Sequence, residues 1–183
     1  MSKIIIEVGS TITKVDCYDG IDIKRLKNIT IEFKKNYQIN NSLNEEDINK
    51  LILEINKLKE EYNDIFVCGT SIFRTLKEDE KHSFIKLFKE KTGLDFNIVS
   101  QEDESRFTVK GVTRKVKDKV AVMIGGGGST EITIYDNGIM ETSNSNIGGM
   151  DVTEKFPDLP EDLATSNLED VKKFIKDNMN LPQ

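Results

Sequence analysis

The sequence predicts an α/β fold, and three observations carry the prediction. Strand-like segments open the chain, helices and strands then alternate, and two apolar strand candidates break into glycine followed by hydroxyl residues. Strands leading into alternating helices and strands build a sheet with helices packed on it. At 183 residues the chain suits one domain or one and a half and can bury a real core.

Residues 3–8 form a short apolar run that opens into Gly9, Ser10 and Thr11. Alternation resumes over 14–18, and Asp19-Gly20 is a hairpin turn signal. Segments 21–24 and 29–33 are two more strand candidates, and an Asn-rich stretch at 36–44 reads as a loop. Residues 45–62 then read as an amphipathic helix, with Ile48, Leu51, Ile52, Ile55 and Leu58 on one face. Ser42 and Glu45 stand at capping-box spacing before it. A buried strand is expected at 64–68. A helix is expected over 79–91, with Phe84, Leu87 and Phe88 inward and Gly93 as its stop.

Residues 96–99 read as a strand and 101–110 as a helix start. A charged stretch at 115–119 leads into a meander of strands over 120–124, 131–135 and 139–142, turning at Asn137-Gly138. A last helix is expected from Ser166, capped with Glu169 and presenting Leu168, Val171, Phe174 and Ile175.

Composition narrows the function. The net charge is −6, from 32 acidic and 26 basic residues, so a nucleic-acid partner is not expected. Cys17 and Cys68 lie in separate apolar segments and read as reduced thiols of a cytoplasmic protein. No apolar run approaches the roughly 20 residues of a membrane span, and no membrane partner is expected. His82, the one histidine, sits on a polar helix face. The lysines at 34–35, 86–91 and 115–119 read mostly as solvated surface.

The chemistry concentrates in two glycine turns. Gly125, Gly126, Gly127 and Gly128 follow the apolar run 120–124 and precede Ser129, Thr130 and Glu131. Glycine turns the backbone sharply and lets successive N–H groups converge on an anion such as phosphate. Gly9, Ser10 and Thr11 repeat the pattern near the start of the chain. Two such turns suggest loops facing one another across a cleft, although a Gly-Ser-Thr turn alone is usually structural.

Four segments in the same order resemble the exopolyphosphatase and guanosine pentaphosphate phosphohydrolase family of the actin-like superfamily. Glu7-Val8-Gly9-Ser10-Thr11 is similar to its first phosphate loop, Asp-[Ile/Leu]-Gly-Ser-Asn. Gly69-Thr70-Ser71-Ile72-Phe73-Arg74 resembles Ala-Thr-Ser-Ala-[Ile/Leu]-Arg. The stretch from Thr92-Gly93 to Val99-Ser100-Gln101-Glu102-Asp103-Glu104-Ser105-Arg106 resembles Thr-Gly followed by Ile-Ser-Gly-x-Glu-Glu-Ala-Arg. Gly126-Gly127-Gly128-Ser129-Thr130-Glu131 is similar to the end of the second loop, Asp-Ile-Gly-Gly-Gly-Ser-Thr-Glu. The resemblance spans roughly residues 4–154.

It implies an actin-like (ribonuclease H-like) ATPase lobe with a mixed sheet over 1–112. The opening strands and helix of a second similar lobe would follow over 113–183, so the chain reads as a truncated piece of a longer protein. By the same resemblance Glu104 is the catalytic carboxylate that activates water. Gly9, Ser10, Thr11, Gly127, Gly128, Ser129 and Thr130 cradle phosphate, and Arg74 and Arg106 neutralise it. Mg²⁺ is held by Glu131 and Glu7. The implied substrates are polyphosphate or a guanosine alarmone, with a homodimer compatible with the full-length form. Without the family, Glu104 would read as one of several acids complementing a helix dipole.

Two departures stand out. The first-loop aspartate is Glu7 here, and the second-loop aspartate falls on Ile124, which cannot bind a metal. The expected function is an exopolyphosphatase-like phosphohydrolase with altered metal carboxylates, inactive as an isolated piece. The alternatives are a phosphate-ligand binding protein without turnover and another actin-like ATPase.

Overall fold

A computed structural model describes residues 2–114, 116–159 and 168–182. The chain divides into two compact units, Met1–Ser100 and Gln101–Gln183. No helix among the described residues is long and apolar enough to cross a membrane.

In the first unit, β1 (Lys3–Val8), β2 (Ile12–Tyr18) and β3 (Ile23–Thr30) form an antiparallel meander. Helices α1 (Phe33–Asn40) and α2 (Glu45–Glu61) follow, then β4 (Ile65–Gly69), α3 (Ile72–Thr75), α4 (Glu78–Thr92) and β5 (Phe96–Ile98). The sheet order is β3-β2-β1-β4-β5, with β4 parallel to β1 and β5 parallel to β4. This is the mixed sheet expected. One sheet face is apolar: Ile4, Ile6 and Val8 of β1 pack with Val15, Val67 and the helix residues Leu51, Ile55 and Phe88. Phe33, Phe73, Phe84, Phe88 and Phe96 interlock in this core, most pairs with ring centroids about 5 Å apart.

Three local expectations for this unit are corrected. Segments 21–24 and 29–33 are not two strands: β3 is one strand that stops at Thr30. Ile31 and Phe33 continue the alternating pattern because both are buried in the same core, while the backbone has already turned into α1. The Asn-rich stretch is partly that helix. Asn36 Nδ2 donates to Asp47 Oδ2 at 2.8 Å, and Asn41 closes the helix at φ 52. Tertiary contacts here override weak helix propensity. Helix α2 is capped by Asn44, whose Oδ1 accepts from Glu46 N at 2.7 Å, and not by Ser42.

The second unit starts with α5 (Gln101–Val112), which packs on β6 (Val120–Gly125), β7 (Thr130–Asp136) and β8 (Ile139–Ser145). The second compact unit therefore begins with this helix. The three strands form an antiparallel meander in the order β6-β7-β8. Asn137 and Gly138 both have positive φ, as a tight hairpin turn requires. A short helix not expected from sequence, α6 (Gly149–Lys155), follows, and α7 (Leu168–Asn178) is the last described element. Phe156 and Phe174 meet edge-on at 5.7 Å. The expected cap at Ser166 lies outside the described residues.

Candidate functional site

In the first unit the parallel strands β1, β4 and β5 end side by side. Thr70 N donates to Val8 O at 3.0 Å, and Val99 N donates to Gly69 O at 3.0 Å. The carboxyl ends of parallel strands are where α/β sheets bind ligands. The Gly9–Thr11 turn is closed by Gly9 N donating to Ile12 O. A Cβ at Gly9 would come within 2.8 Å of that carbonyl oxygen, so the turn requires glycine. Helix α1 braces the turn from outside: Lys34 N donates to Ser10 O, and Ile31 N to Thr11 O.

Ser10 is buried, and its Oγ donates to Ser71 Oγ at 2.9 Å. Ser71 stands at φ 45 and ψ −102, close to the first central position of a II′ turn that glycine ordinarily fills. Phe73 N donates back to Thr70 O and closes this turn. Gly69 makes room for it, since a Cβ there would lie 2.4 Å from the Phe96 ring. A non-glycine residue in such a conformation stores strain of the kind that gathers at functional sites. Arg74 is half-buried on α3 and donates through Nη1 to Val99 O at 3.2 Å, which holds it at these strand ends.

Glu7 lies on the sheet face opposite the helices. Its Oε1 is 2.9 Å from Nζ of Lys14, its direct partner across β1 and β2. Arg25 sits on the same face, bonded to Asp16. Its pKa is held above the ordinary value chiefly by the hydrogen bond to Asp16, and partly by the fields of Asp16 and Glu7.

In the second unit the glycine loop joins β6 to β7. Gly126 N donates to Ser129 O at 2.8 Å and closes a tight turn. The loop is clamped to the start of α6: Gly149 N donates to Gly126 O and Met150 N to Gly127 O. Gly148 approaches so closely that a Cβ would stand 2.5 Å from Gly127 C and Gly128 N. Its own N–H donates to Asp151 Oδ2 at 2.8 Å. Ser129 and Thr130 are both buried, and the Thr130 hydroxyl donates to Ile147 O at 2.7 Å. That bond gives Thr130 a structural task, pinning the loop to the end of the meander.

Glu131 is 1% exposed, and its Oε1 accepts from Gln101 Nε2 at 2.6 Å. Its cross-strand neighbours are Ile124 and Asn144. Glu104 is half-buried on α5, next to the fully buried Ser105. Arg106 pairs with Asp103 at 2.7 Å and stacks over Phe107. It also lines a cavity of ≈ 330 Å³ together with Glu102, Met140, Thr142 and Asn144.

Within its own unit each of these carboxylates already has a partner. Lys14 already neutralises Glu7, Glu131 is sunk beneath α5 on an amide, and Ile124 offers no ligand. Among the described residues no three His, Cys, Asp or Glu side chains gather as a ligand set. Glu7 and Glu131, expected to hold Mg²⁺, lie in different units, and each has its own partner there.

Four residues escaped the sequence reading. Lys14 becomes the partner of Glu7 only through the register of β1 and β2. Gly148 has no local signal, because the backbone it meets belongs to the distant glycine loop. Ser71 stands in the second motif with nothing to mark its backbone conformation, and Gln101 has no signal short of the tertiary contact with Glu131.

A model of the Ppx/GppA phosphatase family matches residues 17–182. No curated protein gives a significant match. Among solved structures, the Ppx/GppA family member of Aquifex aeolicus is similar with a TM-score of 0.73 at 21% identity, over 96% of this chain and 60% of its own. An exopolyphosphatase from Cytophaga hutchinsonii gives 0.71 at 18% identity, over 85% and 54%. MreB5 of Spiroplasma citri bound to ADP gives 0.50 at 16%, over 95% and 62%. These likenesses establish the actin-like ATPase fold. The chain spans 54% to 62% of the length of these proteins.

Proposed function

The chain belongs to the Ppx/GppA phosphatase family, and from that premise we propose that it is a phosphohydrolase removing the terminal phosphate of polyphosphate or of guanosine pentaphosphate. The observation that carries the reading is the form of the second glycine loop. Its carbonyls at Gly126 and Gly127 are taken by Gly149 and Met150. Among the described residues no backbone carbonyl accepts from the N–H groups of Gly127, Gly128 or Ser129, which leaves them to meet an anion.

In this reading Gly9, Ser10 and Thr11 are the corresponding cradle of the first unit. Arg74 and Arg106 offset phosphate charge. Glu104 orients a water molecule and takes its proton as the water oxygen attacks the terminal phosphorus, while the bridging oxygen leaves with the shortened chain. Phosphoryl transfer of this kind depends on positioning and charge stabilisation more than on covalent catalysis. A divalent ion, if held by Glu7 and Glu131, would supply further charge neutralisation at the phosphate. We place the protein in the cytoplasm because Cys17 and Cys68 are reduced thiols.

The test is orthophosphate release from polyphosphate and from guanosine pentaphosphate. Glu104→Gln is expected to lower the rate about 10²- to 10⁴-fold, the usual worth of a general base, with an unchanged melting temperature. An unchanged rate would remove Glu104 from the mechanism. A second reading, binding of a phosphate ligand without turnover, is favoured by Ile124 beside Glu131. Binding with no release in either assay would select it.

A further inference from the structure

We infer that Ser71 is a positioning residue for the first glycine turn: its oxygen takes up the Ser10 hydroxyl, so the turn meets phosphate with its main chain and not with that hydroxyl. The inference rests on the phosphate-binding reading above and adds which atoms of the turn do the binding.

Ser10 is 6% exposed, and its Oγ donates to Ser71 Oγ at 2.9 Å across 61 positions of sequence. A hydroxyl has one proton to donate, and Ser71 receives it. An anion needs donors, and the Ser10 side chain has none left to give. The main chain is oriented differently. Lys34 N donates to Ser10 O at 3.0 Å, so that carbonyl faces α1. In a trans peptide the next N–H points the opposite way, which turns the Thr11 N–H away from α1.

Ser71 holds its place under strain. Its φ of 45 and ψ of −102 suit glycine, and another residue keeps such a conformation only where its surroundings impose it. Thr70 N on Val8 O sets Ser71 beside the end of β1, and Phe73 N on Thr70 O closes its turn. The one thing glycine could not supply here is the acceptor for Ser10. The Gly9 and Lys34 amides tie the turn to β2 and α1, and the Ser71 oxygen ties it to the end of β4. A turn held in one shape before the anion arrives binds it more tightly, because less ordering remains to be done.

The experiment is a double-mutant cycle, read by calorimetric titration of the 183-residue protein with inorganic tripolyphosphate. Ser71→Gly removes the acceptor without adding strain, and Ser10→Ala removes the donor. Each is expected to weaken binding about two- to tenfold, the worth of one neutral hydrogen bond. The double variant is expected to lose no more than either alone, because both changes break the same contact. Melting curves confirm that all three variants are folded at the titration temperature. A role in stability alone would move those curves and leave the affinity where it was. Unchanged or tighter binding by Ser71→Gly overturns the inference. So do losses that add in the double variant, since the two hydroxyls would then act on the anion separately. Both of these results leave the phosphate reading intact, whereas no binding by the wild-type protein overturns both.

Discussion

Replacing Gly148 with alanine tests whether the second glycine loop depends on the helix behind it. Gly148 has φ −136 and ψ −175, extended backbone that alanine adopts freely, so any effect is steric. The added Cβ would stand 2.5 Å from Gly127 C and Gly128 N and 2.6 Å from Gly126 O. Relaxed carbon contacts lie near 3.5–4.0 Å, so the loop and the start of α6 must separate by about an ångström. All three opposing atoms are backbone, and no side chain can rotate away. Forced overpacking of this kind costs about 1–3 kcal/mol. Separation also breaks the Gly149–Gly126 and Met150–Gly127 hydrogen bonds, each worth about 0.5–1.5 kcal/mol. The expected loss is about 2–6 kcal/mol, a large share of the usual 5–15 kcal/mol of a domain. Urea unfolding measures it, and hydrogen exchange at the Gly149 and Met150 amides locates it. Gly125→Ala is the control, because nothing lies within 4 Å of a Cβ there. A Gly148→Ala protein within about 0.5 kcal/mol of wild type, with both amides still protected, would refute the clamp.

Three further outcomes follow from local geometry. Thr13 is buried with no partner for its Oγ1 among the described residues, so Thr13→Val is expected to stabilise by about 1 kcal/mol or more; equal or lower stability in urea would contradict this. At Ser71, glycine is expected to be about 1–2 kcal/mol more stable than alanine, the reverse of the usual order, because both lack the hydroxyl and only glycine relieves φ 45; alanine matching glycine would mean no strain is stored there. The pKa of Glu54 is lowered by its hydrogen bonds to Lys27 and then Lys57. Its contribution is present above the unfolded value near 4.5 and is lost as pH falls through the lower folded value. Glu54→Gln is expected to cost about 0.5–1 kcal/mol at pH 7 and nothing at pH 2. A loss that persists undiminished at pH 2 would mean the ion pairs are not its source.

Local pattern determined much of this protein. The period of Leu51, Ile55 and Leu58 fixed α2, the alternation of Ile4, Ile6 and Val8 fixed β1, and Asn137-Gly138 fixed the turn of the meander. The glycine runs were legible because close backbone approach leaves few other residues usable. What sequence misjudged lay where two elements compete for one residue. Ile31 and Phe33 kept a strand-like alternation because they share a core, although the strand ends at Thr30 and a helix starts at Phe33. The partners of the carboxylates were out of reach for the same reason. A glutamate in a string of letters can be a metal ligand, a base or half of an ion pair. Only the register that sets Lys14 beside Glu7, and the packing of α5 that brings Gln101 to Glu131, decided between these roles. Those contacts join residues 7 and 30 positions apart in the chain, and sequence periodicity carries no information on which charge will lie next to which.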